Sequence, residues 1–228
     1  MSLGPGTLLP SHRKILKKAV YRKVLRLYRR GKLEWKDTLL AGVKSELRLA
    51  LRHQQEGRCM FCRRRIIVER RNAYESIEHF LDKSKSHYKK WSFSPVNLTV
   101  ACHACNFQKS TVDLGDAAIK AAVALKSTSG EFKWIHPYFD DFHENIEVLP
   151  GWIYRIKDHA PKAAEAEAMI KRCDLNQIRS IEAYAQLVKK TVLRLTELAG
   201  RCVELKRYDR AAKLLAESKQ FQQDTWDV

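Results

Sequence analysis

Residues 101–110 read ACHACNFQKS, and these ten positions decide how the fold is read. Cys102 and Cys105 form a C-x2-C pair, and Asn106 and Lys109 follow at once. A second C-x2-C pair, Cys59 and Cys62, lies upstream. Four thiolates satisfy a closed tetrahedral Zn2+ site. Two disulfides, or four small buried apolar residues, would use the same cysteines. Paired clustering at metal spacing favours the ion. The pairs are separated by 39 residues, whereas four-cysteine ribbons space theirs by about 15–20. The long insert carries Glu78, His79 and Asn97. Cys173 and Cys202 fall in helical patterns without ligand spacing and read as core residues.

Outward from this stretch, the chain is strongly basic. Its 228 residues carry a formal charge of +17, which points to a polyanionic partner. The surplus is uneven. Residues 1–72 hold 20 Lys or Arg against 5 Asp or Glu, a balance of +15. Hydrophobic residues make up 45%, enough for a core without disulfide staples. No apolar run reaches a membrane span. The start, MSLGPGTLLPSHRK, lacks the apolar segment of an export signal. Together with clustered cysteines, this gives the expectation of a reducing cytoplasm.

The periodicity predicts helices at both ends. Residues 12–30 repeat Ile15, Leu16, Ala19, Val20, Val24, Leu25 and Tyr28 at helical spacing, with Gly31 as a stop. A second helix is expected from an Asp37 cap to about Gln55, using Leu40, Val43, Leu47 and Leu51. Residues 58–112 predict a hairpin, a loop and a short helix, with RIIVE and SIEHFL as strand-like runs. Residues 113–128 predict a helix, and 129–156 mixed structure. Three helices are expected beyond Pro161, with Leu175, Ile178, Ile181, Leu187 and Val192 forming a buried face.

The order C-x2-C, Glu-His in a strand-like run, Asn-Leu, then C-x2-C-Asn-x2-Lys resembles the zinc-stapled branch of the HNH endonucleases. The resemblance covers residues 57–112. It implies a ββα-metal fold, in which a two-stranded hairpin and a helix hold one divalent ion. His79 matches the general base that takes a proton from the attacking water. Glu78 matches the acidic metal ligand. Asn97 matches the middle asparagine, which holds the loop and orients the histidine. Asn106 matches the final metal ligand, and Lys109 a lysine near the scissile phosphate or the helix end. Glu78 stands where Asp is commoner, and Asn106 where His is commoner. An oxygen-rich set of this kind suits Mg2+ or Mn2+.

Elementary chemistry supports the assignment from the residues themselves. A neutral His can activate water near pH 7, and a divalent ion can stabilise a leaving oxygen. One difficulty is that neighbouring strand residues face opposite ways. Glu78 and His79 therefore serve one site only near a strand end or a distortion. Glu75, Asp82, His87 and His103 read as surface or supporting residues, with His87 able to reach substrate from the 83–90 loop.

The segment IHPYFDDFHENIEV and the helices after it resemble regions that follow the nuclease unit in bacterial HNH proteins. Some of these are encoded beside an ATPase in phage defence. His136, Asp140, Asp141, His143 and Glu144 read as a structural or partner-binding segment.

The expected fold class is α+β. Residues 1–56 form a basic helical arm, 57–115 a ββα-metal core with structural zinc, and 116–228 a mixed then helical region. The expected function is a metal-dependent DNA endonuclease acting on a duplex, with a possible ATPase partner. The alternatives are a non-catalytic zinc-stapled nucleic-acid binder, or a nuclease subunit silent until the ATPase docks.

Overall fold

A computed structural model describes residues 3–66, 68–69, 72–73 and 75–223. Only the backbone is described for 68–69, 72–73, 179–185 and 221–223. The chain mixes helices with small two-stranded sheets and divides into two compact units. The first comprises residues 1–148 and 154–175, the second 149–153 and 176–228.

The basic front does not form one long helix. It splits into α1 (Arg13–Leu16) and α2 (Ala19–Arg29), because Lys18 is extended at ψ 136°. The break turns the chain so that Ile15, Leu25 and Tyr28 can all be buried. α2 ends in a Schellman turn. Gly31, at φ +71°, donates to Tyr28 O and Lys32 donates to Leu27 O.

The next helix, α3 (Ala41–Gln54), starts later than Asp37, after a 3-10 turn at Thr38–Leu40. The Asp37 carboxylate accepts from the Glu34 amide instead of capping the helix. Val43, Leu47 and Leu51 recur every four residues and are all fully buried. Glu46 accepts from Lys18 Nζ and Tyr21 Oη, which fastens the two front helices together.

Gln55, just past α3, works as a substitute strand. Its side-chain Nε2 donates to Val100 O, and its Oε1 accepts from Val100 N. That satisfies the buried edge of the next sheet.

Two separate ribbons follow. β1 (Val68–Glu69) pairs with β2 (Asn72–Ala73). β3 (Glu75–His79) pairs antiparallel with β4 (Leu98–Cys102), in the register Glu75↔Cys102, Ile77↔Val100 and His79↔Leu98. The SIEHFL strand thus takes its partner from the second cysteine stretch rather than from RIIVE; Arg70 and Arg71 lie outside the described residues. α4 (His103–Lys109) begins where β4 ends. Strand, strand and helix are therefore consecutive around a long loop, residues 80–97.

The expected helix over 113–128 shrinks to α5 (Ala117–Ala121). Its N-terminus is capped by Asp116, which accepts from the Ile119 amide. Only Ile119 finds a core, and Val123 is 95% exposed, so no burial holds a longer helix. α6 (Phe142–Asn145) is capped by Asp141. β5 (Ile146–Leu149) and β6 (Ile153–Ile156) pair next. α7 (Ala163–Arg172) buries Ala166, Met169 and Ile170.

The second unit is dominated by α8 (Ile178–Glu204) and α9 (Tyr208–Gln223), which pack along one another. Of the expected buried face, Leu175 is buried and Leu187 exposed, while the Ile181 side chain lies outside what is described. No described helix is long and apolar enough to cross a membrane.

Candidate functional site

The four cysteines converge. Their sulfurs all lie within 4.8 Å of one another, and Cys62 and Cys102 Sγ are 3.9 Å apart. Tetrahedral thiolates at a Zn–S distance of about 2.3 Å stand roughly 3.8 Å apart, so this quartet fits a metal such as zinc. Cys59 and Cys62 sit on a tight turn. Cys59 N donates to Arg64 O, and Arg63 N donates to Cys59 O, with Arg63 at φ +60°. Cys102 and Cys105 come from the end of β4 and the first turn of α4.

Crowding makes the thiols unequal. Cys102 is held below the usual thiol range, first by its hydrogen bond with Cys105. Cys62 and Cys105 are pushed up, first by Cys102. Cys102 is thus the thiol of the set most favoured as a thiolate, the form that ligates a metal. Cys173, expected as plain core, is buried and borders Cys105.

Arg63, one of the basic residues of the front region, is buried beside this turn. Its guanidinium lies 3.9 Å from the Phe142 ring centroid and donates to Pro5 O. Burial pulls its pKa down to about 10, opposed first by the charge on Cys59. Its position brings positive charge to the thiolate cluster.

A cleft of about 490 Å3 opens at the end of β3, and Glu78, His79 and Asn106 all line it. Trp35, Asp82 and Lys83 complete the part that matters chemically. The difficulty of adjacent strand residues disappears because His79 is the last residue of β3. The cleft wraps around that strand end. Asn106 reaches it because it follows Cys105 directly in α4.

His79 is only 3% exposed. Its Nε2 lies 3.1 Å from Ser92 O, and a carbonyl can only accept. Nε2 therefore carries the proton, and Nδ1 keeps a free lone pair. Burial first, then the Lys83 charge, holds the ring well below its ordinary pKa of 6.5, so it is neutral at pH 7. The Trp35 ring meets it edge-on at 4.4 Å. Neither Trp35 nor Ser92 was legible from spacing, since each arrives from a distant segment without a motif of its own.

Lys109, expected near the scissile phosphate or the helix end, is the last residue of α4. Its side chain is wholly buried, and Nζ donates to Glu78 Oε1 at 2.6 Å and to His79 O at 2.9 Å. The helix thereby ties down both residues of the Glu-His pair from beneath. Burial raises the Glu78 pKa, and Lys109 opposes that shift.

Asn97 is also fully buried, and its side chain bonds backbone groups rather than the His79 ring. Its Oδ1 accepts from Leu81 N, while Nδ2 donates to Leu81 O and Trp91 O. Its own carbonyl accepts from Phe80 N. It clamps the chain leaving β3 to the loop that supplies Ser92.

The remaining candidates take structural places. Glu75 pairs with Arg52 and Arg48 at the far end of β3. The Asp82 carboxylate accepts from Ser84. His87 packs its ring against Tyr88, and His103 is exposed. His136 is buried among Phe80, Phe132 and Phe139, with its amide donating to Asp140. Asp141 caps α6, and His143 Nε2 meets Gly4 O. Among the described residues, the cysteine quartet alone forms a cluster of three or more His, Cys, Asp or Glu able to hold a metal.

No protein-family model matches the chain, and neither a curated protein nor a solved structure does.

Proposed function

We propose that the chain is a metal-dependent endonuclease of the HNH kind, hydrolysing phosphodiester bonds of double-stranded DNA. The observation that carries this reading is the single cleft where Glu78, His79 and Asn106 meet at the end of a strand–strand–helix unit. The uneven positive charge of residues 1–72 supports a phosphate-backbone partner.

The chain's own residues divide the work. His79, neutral and with Nε2 committed to Ser92, accepts a proton from water at Nδ1. The Ser92 carbonyl then faces a charged ring, and its hydrogen bond strengthens. Glu78 and Asn106 bring oxygen donors from the strand and the helix. Mg2+ characteristically uses one or two protein ligands, several waters and substrate phosphate, so this sparse set fits a hard cation. Bound there, Mg2+ or Mn2+ would supply Lewis-acid stabilisation of the leaving oxygen. Lys109 positions Glu78 rather than touching substrate. The cysteine quartet would hold a structural Zn2+, joining the 59–64 turn to the start of α4 and so fixing the approach of Asn106.

Incubating supercoiled plasmid with the protein and Mg2+ or Mn2+ tests the reading. Wild type converts it to nicked or linear forms. His79→Ala is slower by at least about 10²-fold, the lower end of general-base contributions. Equal cutting by both proteins, or cutting by neither in any metal, overturns it.

A second reading has support of its own. Glu78 is already engaged by Lys109, and His79 is almost fully buried, as in a site that opens only in a complex. The chain is then a nuclease subunit switched on by an ATPase, and cutting follows addition of that partner. Nucleic-acid binding without cutting under either condition favours the zinc-stapled binder.

A further inference from the structure

A second concavity, of about 590 Å3, lies between the C-terminal end of α2 and the 3-10 turn at Lys89–Trp91. Its floor is aromatic. Tyr28 and Phe93 are buried and meet edge-to-face at 5.1 Å. Its rim is cationic, formed by Arg29, Arg30, Lys89 and Lys90. No carboxylate occurs among its described lining residues.

The cations are not equivalent. Lys90 donates to Lys120 O and Ala122 O and stands 4.5 Å from the Trp91 ring centroid, so it is committed. Arg29, Arg30 and Lys89 are exposed and have no acidic partner among the described residues. The end of a helix would ordinarily oppose an anion. Here the Schellman turn at Gly31 satisfies the last carbonyls from within, which leaves the side chains to set the local charge.

The geometry points to this concavity as a second phosphate-binding site for a nucleic-acid strand. It takes a phosphodiester flanking the one in the cleft, held between Arg29 and Arg30 on one wall and Lys89 on the other. The size is within the roughly 300–1,000 Å3 of small-ligand sites, large enough for one phosphate with its sugar. Phe93 meets Trp35 at 5.1 Å, and Trp35 meets His79 at 4.4 Å. The floor is therefore two ring contacts from the proposed base. A strand with about 3.4 Å of helix axis per nucleotide spans that gap in a few residues. The assignment to a flanking phosphate rests on the reading of the cleft as the cutting site.

The test is fluorescence anisotropy of a labelled 20-base-pair duplex at 50–200 mM salt, without added Mg2+ or Mn2+, so that nothing is cut. The full-length wild type is compared with R29Q/K89Q and with a control, K126Q/K133Q, that removes the same charge from exposed positions outside the basic front. Each lost phosphate contact lowers the slope of log K against log salt by about 0.9. The R29Q/K89Q slope should be shallower by about 1.8, so that wild-type affinity falls about tenfold further across this range, with the control close to wild type. Equal slopes in the two double variants, unchanged slopes in both, or no duplex binding by wild type overturns the site. So does titration with deoxyadenosine monophosphate in which R29Q/K89Q weakens that ligand but not the duplex, since the occupant is then a free nucleotide. Failure of the nuclease reading looks different: no plasmid cutting, with the R29Q/K89Q slope change intact.

Discussion

Lys109→Met separates support from substrate contact. The Lys109 ammonium is wholly buried and sits 2.6 Å from Glu78, whose side chain is 9% exposed. Replacing Lys by Met keeps the aliphatic bulk and leaves a buried carboxylate without its partner. Breaking a buried pair this way costs about 3–5 kcal/mol. A protein of this size loses about 2–4 °C in Tm per kcal/mol, so the variant should melt roughly 6–20 °C lower. Thermal and urea unfolding at fixed zinc concentration measure this. Adding Glu78→Gln should recover much of the loss, because an amide tolerates burial better than a charge.

The pH dependence has a definite sign. The Glu78 pKa is raised in the fold by burial, and Lys109 restrains it. Without Lys109 it rises further. The deficit is then full above the folded value, shrinks as pH falls below it, and is gone well below 4.5, the ordinary value, where folded and unfolded chains are both protonated. A loss below about 1 kcal/mol, the scale of an exposed pair, accompanied by slower cutting, would refute the reasoning and return Lys109 to the phosphate.

Four other outcomes follow from the same geometry. The depressed His79 pKa means that the neutral base persists below pH 6.5, so the acid limb of the pH–rate profile should lie below that value; a midpoint at or above 6.5 contradicts the assigned environment. Stability should also decline as pH falls through 6.5 toward the folded value, because the unfolded ring charges first. Stripping metal with a thiol-competing chelator should release one equivalent of zinc and lower Tm, and Cys105→Ser should bind that ion more weakly; full stability without metal contradicts the clip. Asn97→Ala leaves Leu81 N and Leu81 O unsatisfied in the interior, while Trp91 O keeps its bond from Ser94 N; at about 1–3 kcal/mol for each buried group this predicts a loss of at least about 2 kcal/mol in urea unfolding.

The sequence made some parts legible and hid others for physical reasons. The cysteine spacing reports a local constraint, and the quartet does converge. Helices with a clear apolar face, such as Val43, Leu47 and Leu51 in α3, were readable because burial repeats along the chain. The pairing of β3 with β4 was not, since it closes across an 18-residue loop and competes with a nearer strand-like run. Asn97 read as either chemistry or loop support, and its hydrogen bonds are those of a clamp. Lys109 read as a lysine near the phosphate or the helix end, and its burial was hidden because a sequence carries no burial label. Its pairing with Glu78 depends on α4 crossing beneath β3. Trp35 and Ser92 reach His79 only through tertiary folding.

The central claim is that Glu78 and Asn106 share one divalent ion beside His79. Anomalous diffraction from a crystal soaked in Mn2+ tests it most directly. The account predicts a manganese peak in the cleft, about 2.0–2.6 Å from one oxygen of each residue, as for hard cations. A peak only at the cysteine quartet, or none in the cleft with the two side chains pointing apart, would contradict it.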